Sequence, residues 1–219
     1  MTTLPPDRAA MPKVAHELRE AITAGQYAPG ERLSEIAVAE SFGVSRNTLR
    51  ESFQALAEQR LITRIPNRGV SVASPEMADV IDIYRMRRIL ELGALASGSR
   101  LHPAYADMTA AVKDARAAED AGDWPAVGTE NMHFHSALVR FSDSPRVVSA
   151  FENVAAEMRL AFLRLNDPER LHQPFMGRNE VILAAIEADD LAAASAALTD
   201  YLADSERLLL STYSRLGLS

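Results

Sequence analysis

Residues Pro29 to Glu51 read PGERLSEIAVAESFGVSRNTLRE, and the local signals in this stretch decide the fold of the first third of the chain. Pro29-Gly30 makes a turn. Ser34 is placed to cap a short helix running through Phe42, with Ile36, Ala37 and Val38 as its apolar positions. Gly43 suits the left-handed position that closes such a helix. Ser45 then caps another helix reaching about Glu58, with Leu49, Phe53 and Leu56 on its inner face. Two short helices joined through one glycine form a helix-turn-helix.

The flanks extend this unit. Upstream, Val14, Leu18 and Ile22 form an i, i+4, i+8 stripe within Pro12 to Ala24, which predicts an amphipathic helix ending at Gly25. Downstream, the β-prone runs Leu61 to Arg64 and Val70 to Ala73 flank Pro66-Asn67-Arg68-Gly69, a hairpin signature. The expected fold class is therefore mostly α, beginning with a winged helix-turn-helix over residues 1–74 whose wing is a small β-hairpin. Ser74-Pro75 breaks the pattern. Residues 75–219 then read as helix with interruptions at His102-Pro103, Gly122 to Pro125, Ser142 to Pro145, Asn166 to Pro174 and Asp189-Asp190. These breaks predict a C-terminal antiparallel all-helical bundle of about six helices.

The 219 residues carry a net charge of −7, at first sight wrong for a nucleic-acid binder. The charge is unevenly spread. Residues 1–74 hold nine basic and eight acidic side chains, net +1, and residues 75–219 hold fourteen and twenty-two, net −8. Between Val44 and Arg68, Arg46, Arg50, Arg60, Arg64 and Arg68 face only Glu51 and Glu58. That local excess attracts phosphates. The chain has no cysteine, which excludes disulfides and thiolate chemistry. No apolar run approaches a membrane span, and the first residues lack the apolar core of a leader, so a cytoplasmic protein is expected.

The combination PGxxLSE, GVSRxxxRE and an RG-containing wing within Leu56 to Val72, LAEQRLITRIPNRGVSV, resembles the DNA-binding domain of the GntR family of bacterial regulators. The remainder, with RxxLE at Arg87 to Glu91, Phe134-His135, and ILAAI at Ile182 to Ile186, resembles the FCD ligand-binding domain of the FadR-type subfamily. The resemblance implies a transcription regulator, expected to be a repressor, whose operator affinity is modulated by a small polar metabolite such as an organic acid. In a helix-turn-helix the head of the second helix meets base edges in the major groove. Here that head holds Ser45, Arg46, Asn47, Thr48 and Arg50. Arg46 suits bidentate pairing with guanine, Ser34 suits a phosphate, and Arg68 at the wing tip suits the minor groove or its phosphates. Twofold operators imply a homodimer on double-stranded DNA.

FCD domains, by the same resemblance, hold a divalent metal with an Asp and a His one turn apart and two further His. The matching positions here are Asn131, His135, Asn179 and Tyr201. Three of the four ligands are substituted, and amide and phenol oxygens are poor partners for zinc or nickel. No metal and no other cofactor is expected. These four polar groups, with Arg87 as a clamp for a carboxylate effector and Arg159 as a second positive group, are instead candidates for an effector pocket. They equally fit a buried network closed by water or by Glu91, and Arg159 equally fits an outward-facing charge. No nucleophile-base pattern or phosphate-binding glycine loop supports an enzyme. An architectural DNA-binding dimer without effector is the other alternative.

Overall fold

The computed structural model describes residues 6–65 and 69–218, without the side chains of residues 6–10 and of Ile65. The chain divides into two compact units. Residues 1–75 group with 159–164, and residues 76–158 group with 165–219.

In the first unit, helix α1 spans Pro6–Thr23, strand β1 Arg32–Leu33, α2 Glu35–Phe42, α3 Arg46–Glu58, β2 Ile62–Ile65 and β3 Gly69–Val72. The caps lie where the local signals predict them. Ser34 Oγ accepts from the Ala37 amide, and Gly43 closes α2 at φ 64°. Ser45 Oγ accepts from the Thr48 amide to start α3. Val14, Leu18 and Ile22 of α1 are buried with Leu49, Phe53 and Leu56 of α3, and α1 packs on α3. Burying each such side chain contributes about 1.5–3 kcal/mol.

Two details differ from expectation. Helix α1 begins at Pro6 and carries Pro12 inside it, although proline there removes a backbone donor. The expected hairpin is present, and β1 joins it to make an antiparallel sheet of order β1-β3-β2. Arg32 pairs with Ser71 and Leu33 with Val70. A two-residue strand leaves no periodicity to read; pairing to β3 alone defines it.

The second unit contains α4 Met77–Leu95, α5 Pro103–Asp120, α6 Trp124–Val139, α8 Pro168–His172, α9 Arg178–Glu187 and α10 Leu191–Arg215. Helix α7, Pro145–Leu165, contributes to both units. The interruption expected over 166–174 holds α8 and a 3₁₀ turn, Gln173–Phe175, and so is not open loop. Asp123 and Asp190 cap α6 and α10 by accepting from the Ala126 and Ala193 amides. Asp143, Asn166 and Asp189 take positive φ at the chain reversals, a conformation these residue types tolerate. Helix α5 packs on α6, α4 on α10 and α6, and α9 on α10 and α5. Among the described residues no helix is long and apolar enough to cross a membrane.

Candidate nucleic-acid interface and effector cluster

The head of α3 presents its residues unequally. Arg46 and Asn47 are exposed, and Arg46 makes no hydrogen bond or ion pair among the described residues. Asn47 Nδ2 donates to Glu51 Oε1 at 3.2 Å. Arg50 is exposed but occupied, its Nε donating to Glu35 Oε2 of α2 at 2.9 Å. Thr48 corrects the sequence-based expectation of a base-reading side chain. It is only 1% exposed, and its Oγ1 shares a 2.9 Å hydrogen bond with Ser45 Oγ, so its hydroxyl serves the cap and is withdrawn from base edges. The α-helical repeat explains this, because Thr48 falls between Ser45 and Leu49 on the inward side. Ser34 and Ser45 are exposed caps, with backbone amides at their helix starts available to phosphate. Arg68 lies outside the described residues.

Arg64, one of the basic cluster, has a structural role that the sequence does not reveal. Arg64 of β2 donates from Nη2 to the Arg50 carbonyl at 2.8 Å and from Nη1 to Gln54 Oε1 at 3.3 Å, tying the wing to α3. The sequence marks Arg64 only as one charge of the basic cluster, because its partners on α3 are brought to it by the fold.

In the second unit, five candidate residues meet. Arg87, 2% exposed, donates from Nε to Glu91 Oε1 at 2.7 Å. The other carboxylate oxygen of Glu91 lies 2.6 Å from His135 Nδ1. The His135 ring packs on Tyr201 with centroids 4.8 Å apart. Tyr201 Oη and Asn179 Nδ2 both donate to Asn131 Oδ1, each at 2.9 Å. The cluster thus joins α4, α6, α9 and α10. The i, i+4 spacing of Arg87 and Glu91 on α4 makes their pairing local.

Burial and charge set the protonation states. Burial pushes the Glu91 carboxyl up, but Arg87 and His135 beside it more than offset this and hold it below the usual carboxylate range. Burial lowers the His135 imidazole below its ordinary value, only partly opposed by Glu91. The Tyr201 phenol is pushed up to about 12, chiefly by burial. The ionised Glu91 accepts from Nδ1 of His135, and in the neutral ring that burial favours Nε2 is left as an acceptor.

Three buried side-chain atoms have no hydrogen-bond partner among the described residues: Arg87 Nη2, His135 Nε2 and Asn179 Oδ1. All three belong to this cluster. Asn131 and Asn179 also line a recess enclosing about 360 Å³ of space open to solvent, bounded by Arg116 of α5 and by His172, Phe175 and Gly177. His172, which no sequence signal singles out, is buried. Its ring sits against Gly128, where an added Cβ would stand 2.3 Å from Nε2. Arg159 is not brought to the cluster. It groups with the first unit, where its Nε donates to the Thr23 carbonyl at 3.1 Å.

The donor set does not fit a divalent ion. The positions that would ligate one hold two amides already bonded to each other, a protonated phenol and one imidazole. Among the described residues no three His, Cys, Asp or Glu side chains converge on one point. His133 is exposed and pairs with Glu130.

A helix-turn-helix with an exposed arginine at the head of its second helix is the geometry of a DNA-binding domain. The FCD domain model matches residues 82–204, and the model of the bacterial regulatory proteins of the gntR family matches residues 11–72. The chain belongs to the GntR family, with an FCD domain. It is similar to the crystal structure of a GntR transcriptional regulator from Rhodococcus sp. RHA1, with 37% identity, 94% of this chain and 99% of that one covered, and a TM-score of 0.86. An HTH-type regulator of the TAR-I ttuE-ttuC′ intergenic region of Agrobacterium vitis is 32% identical over 57% of this chain and 75% of its own length. The gluconate operon transcriptional repressor of Bacillus subtilis is 25% identical over 82% of this chain and 76% of its own length.

Proposed function

We propose that this GntR-family chain is a repressor that grips a twofold operator as a homodimer through the head of α3 and the wing, and that a small organic acid bound at the α4–α6–α9–α10 cluster changes its operator affinity. One observation carries the effector reading: the three unpaired buried polar atoms all lie in a single cluster. Leaving such an atom unpaired destabilises by about 1–3 kcal/mol, so a ligand that completes all three gains affinity there. Arg87 offers a charged N–H, suited to a carboxylate. The repressor reading draws on the relative named as the gluconate operon repressor. The cluster works without a resident metal, because its donors are neutral amides, a phenol and a single imidazole.

The test uses the full chain and an operator selected from a random duplex library. Organic acids and other metabolites are titrated into gel-shift and thermal-shift assays. At least one acid is expected both to raise the melting temperature and to change operator affinity. A broad panel with neither effect assigns the helical domain a purely architectural, dimerising role. Elemental analysis of protein purified without chelator is expected to find well under one equivalent of zinc or nickel; one retained equivalent would reverse the metal-free reading.

A further inference from the structure

Arg50 is held from both sides by the elements that flank α3. From α2, the Glu35 carboxylate accepts a hydrogen bond from Arg50 Nε at 2.9 Å. From β2, Arg64 donates to the Arg50 carbonyl at 2.8 Å and to Gln54 Oε1 at 3.3 Å. Arg46, Arg50 and Gln54 follow one another at single turns along the exposed side of α3, so the residue gripped in this way is the middle one of an outward-facing row. The Arg50 side chain remains 60% exposed. Its Nη1 and Nη2 have no partner among the described residues, and two such parallel N–H groups match the O6 and N7 acceptors of guanine.

We infer that Glu35 is a positioning residue for base recognition: it aims the free fork of Arg50, so that the two residues together specify one G·C pair in each half-site. This rests on the operator-gripping reading above and deepens it. An exposed ion pair adds little to folding stability, and a carboxylate at the start of α2 repels phosphate, so neither stability nor bulk DNA affinity accounts for Glu35. Aiming the arginine accounts for it. Pairing with Glu35 cancels much of the charge that draws an arginine to phosphate, while both Nη groups stay free to donate to a base edge. It also fixes a long side chain before DNA arrives, which removes part of the ordering cost of binding. Arg46, exposed and without such a partner, keeps its full charge and its freedom to meet backbone as well as base.

The experiment is a set of competition gel shifts on the full chain, run at low salt so that weakened variants still bind. Wild type, Arg50→Ala, Glu35→Gln and the double variant each meet the selected operator, every single base-pair substitution of it, and a random duplex, and melting temperatures report folding. Arg50→Ala is expected to erase the preference for one G·C pair, a preference of about tenfold or more. Glu35→Gln is expected to reduce that same preference by about threefold or more, half of a tenfold preference on the logarithmic scale, with other positions unchanged. Its affinity for random duplex is expected to equal or exceed that of wild type, because a negative charge beside phosphate has gone. In the double variant, Glu35→Gln adds nothing at that pair. An undiminished preference in Glu35→Gln overturns the inference. Equal losses at every position overturn it too, since a merely structural glutamate would behave so. If Arg50→Ala weakens all sequences alike and lowers the salt slope by about one, Arg50 sits on a phosphate and the inference falls, while Arg46→Ala decides separately whether α3 enters the groove.

Discussion

Arg46 and Arg50 sit one turn apart on α3, yet the fold treats them differently. Arg50 is committed to Glu35, whereas Arg46 is exposed with no partner among the described residues. Removing Arg46 therefore disturbs nothing inside the unit. Arg46→Ala is expected to weaken operator binding by about 1–3 kcal/mol for each base that the arginine reads, with the melting temperature unchanged; normal affinity in a gel-shift titration would exclude the proposed groove geometry. His135 makes a pH prediction. Its folded pKa is depressed by burial, so the unfolded chain binds the extra proton first, and stability falls as pH drops below the ordinary histidine value of about 6.5. Glu91, also depressed, adds a second loss at lower pH, below the ordinary carboxylate value of about 4.3. Thermal melts of the wild type are expected to decline between about pH 7 and 5.5, with a shallower decline in His135→Gln. Parallel curves for the two proteins would remove His135 from the account.

At the scale of elements, close approach depends on what is missing. Helix α6 packs on α8 because Gly128 has no side chain where the His172 ring lies. Gly128→Ala would force that ring to move, and overpacking of this kind destabilises by about 1–3 kcal/mol. His172→Ala in the same background is expected to restore most of the loss in denaturant titrations; an additive double mutant would show that the two residues do not meet. Most of the elements themselves are legible in the sequence, because caps and turns are local chemistry. Ser34, Gly43 and Ser45 each act within a few residues, and the stripe at Val14, Leu18 and Ile22 needs only helical geometry. Strand β1 is not legible. Its two residues become a strand only through Ser71 and Val70, nearly forty positions away.

For the whole molecule, the net charge of −7 conceals a first portion of net +1 and a remainder of net −8. DNA affinity in such a chain depends on a few arginines and caps against a repelling background, so counterion release should dominate its salt response. The logarithm of operator affinity is expected to fall linearly with that of salt concentration, losing about 10³–10⁵ between 50 and 200 mM if six to ten phosphates are engaged. A flat response in filter-binding or anisotropy titrations would mean that phosphates carry little of the affinity. The proposed effector control has a matching bound, for a ligand can shift operator affinity by no more than its preference for one state over the other.

The sequence by itself determined the helix-turn-helix, the wing hairpin, the run of helices and the family, since each rests on spacings within one element or on short signatures. It also brought Asn131, His135, Asn179 and Tyr201 to notice, and they do meet. Tertiary structure alone decided what they do to one another. Which partners Asn131, His135, Asn179 and Tyr201 meet, and which nitrogen of His135 stays bare, depend on how α4, α6, α9 and α10 pack. The reason is physical: a hydrogen-bonding group's state is set by the last partner to reach it, and in this cluster those partners lie 44 to 70 residues away.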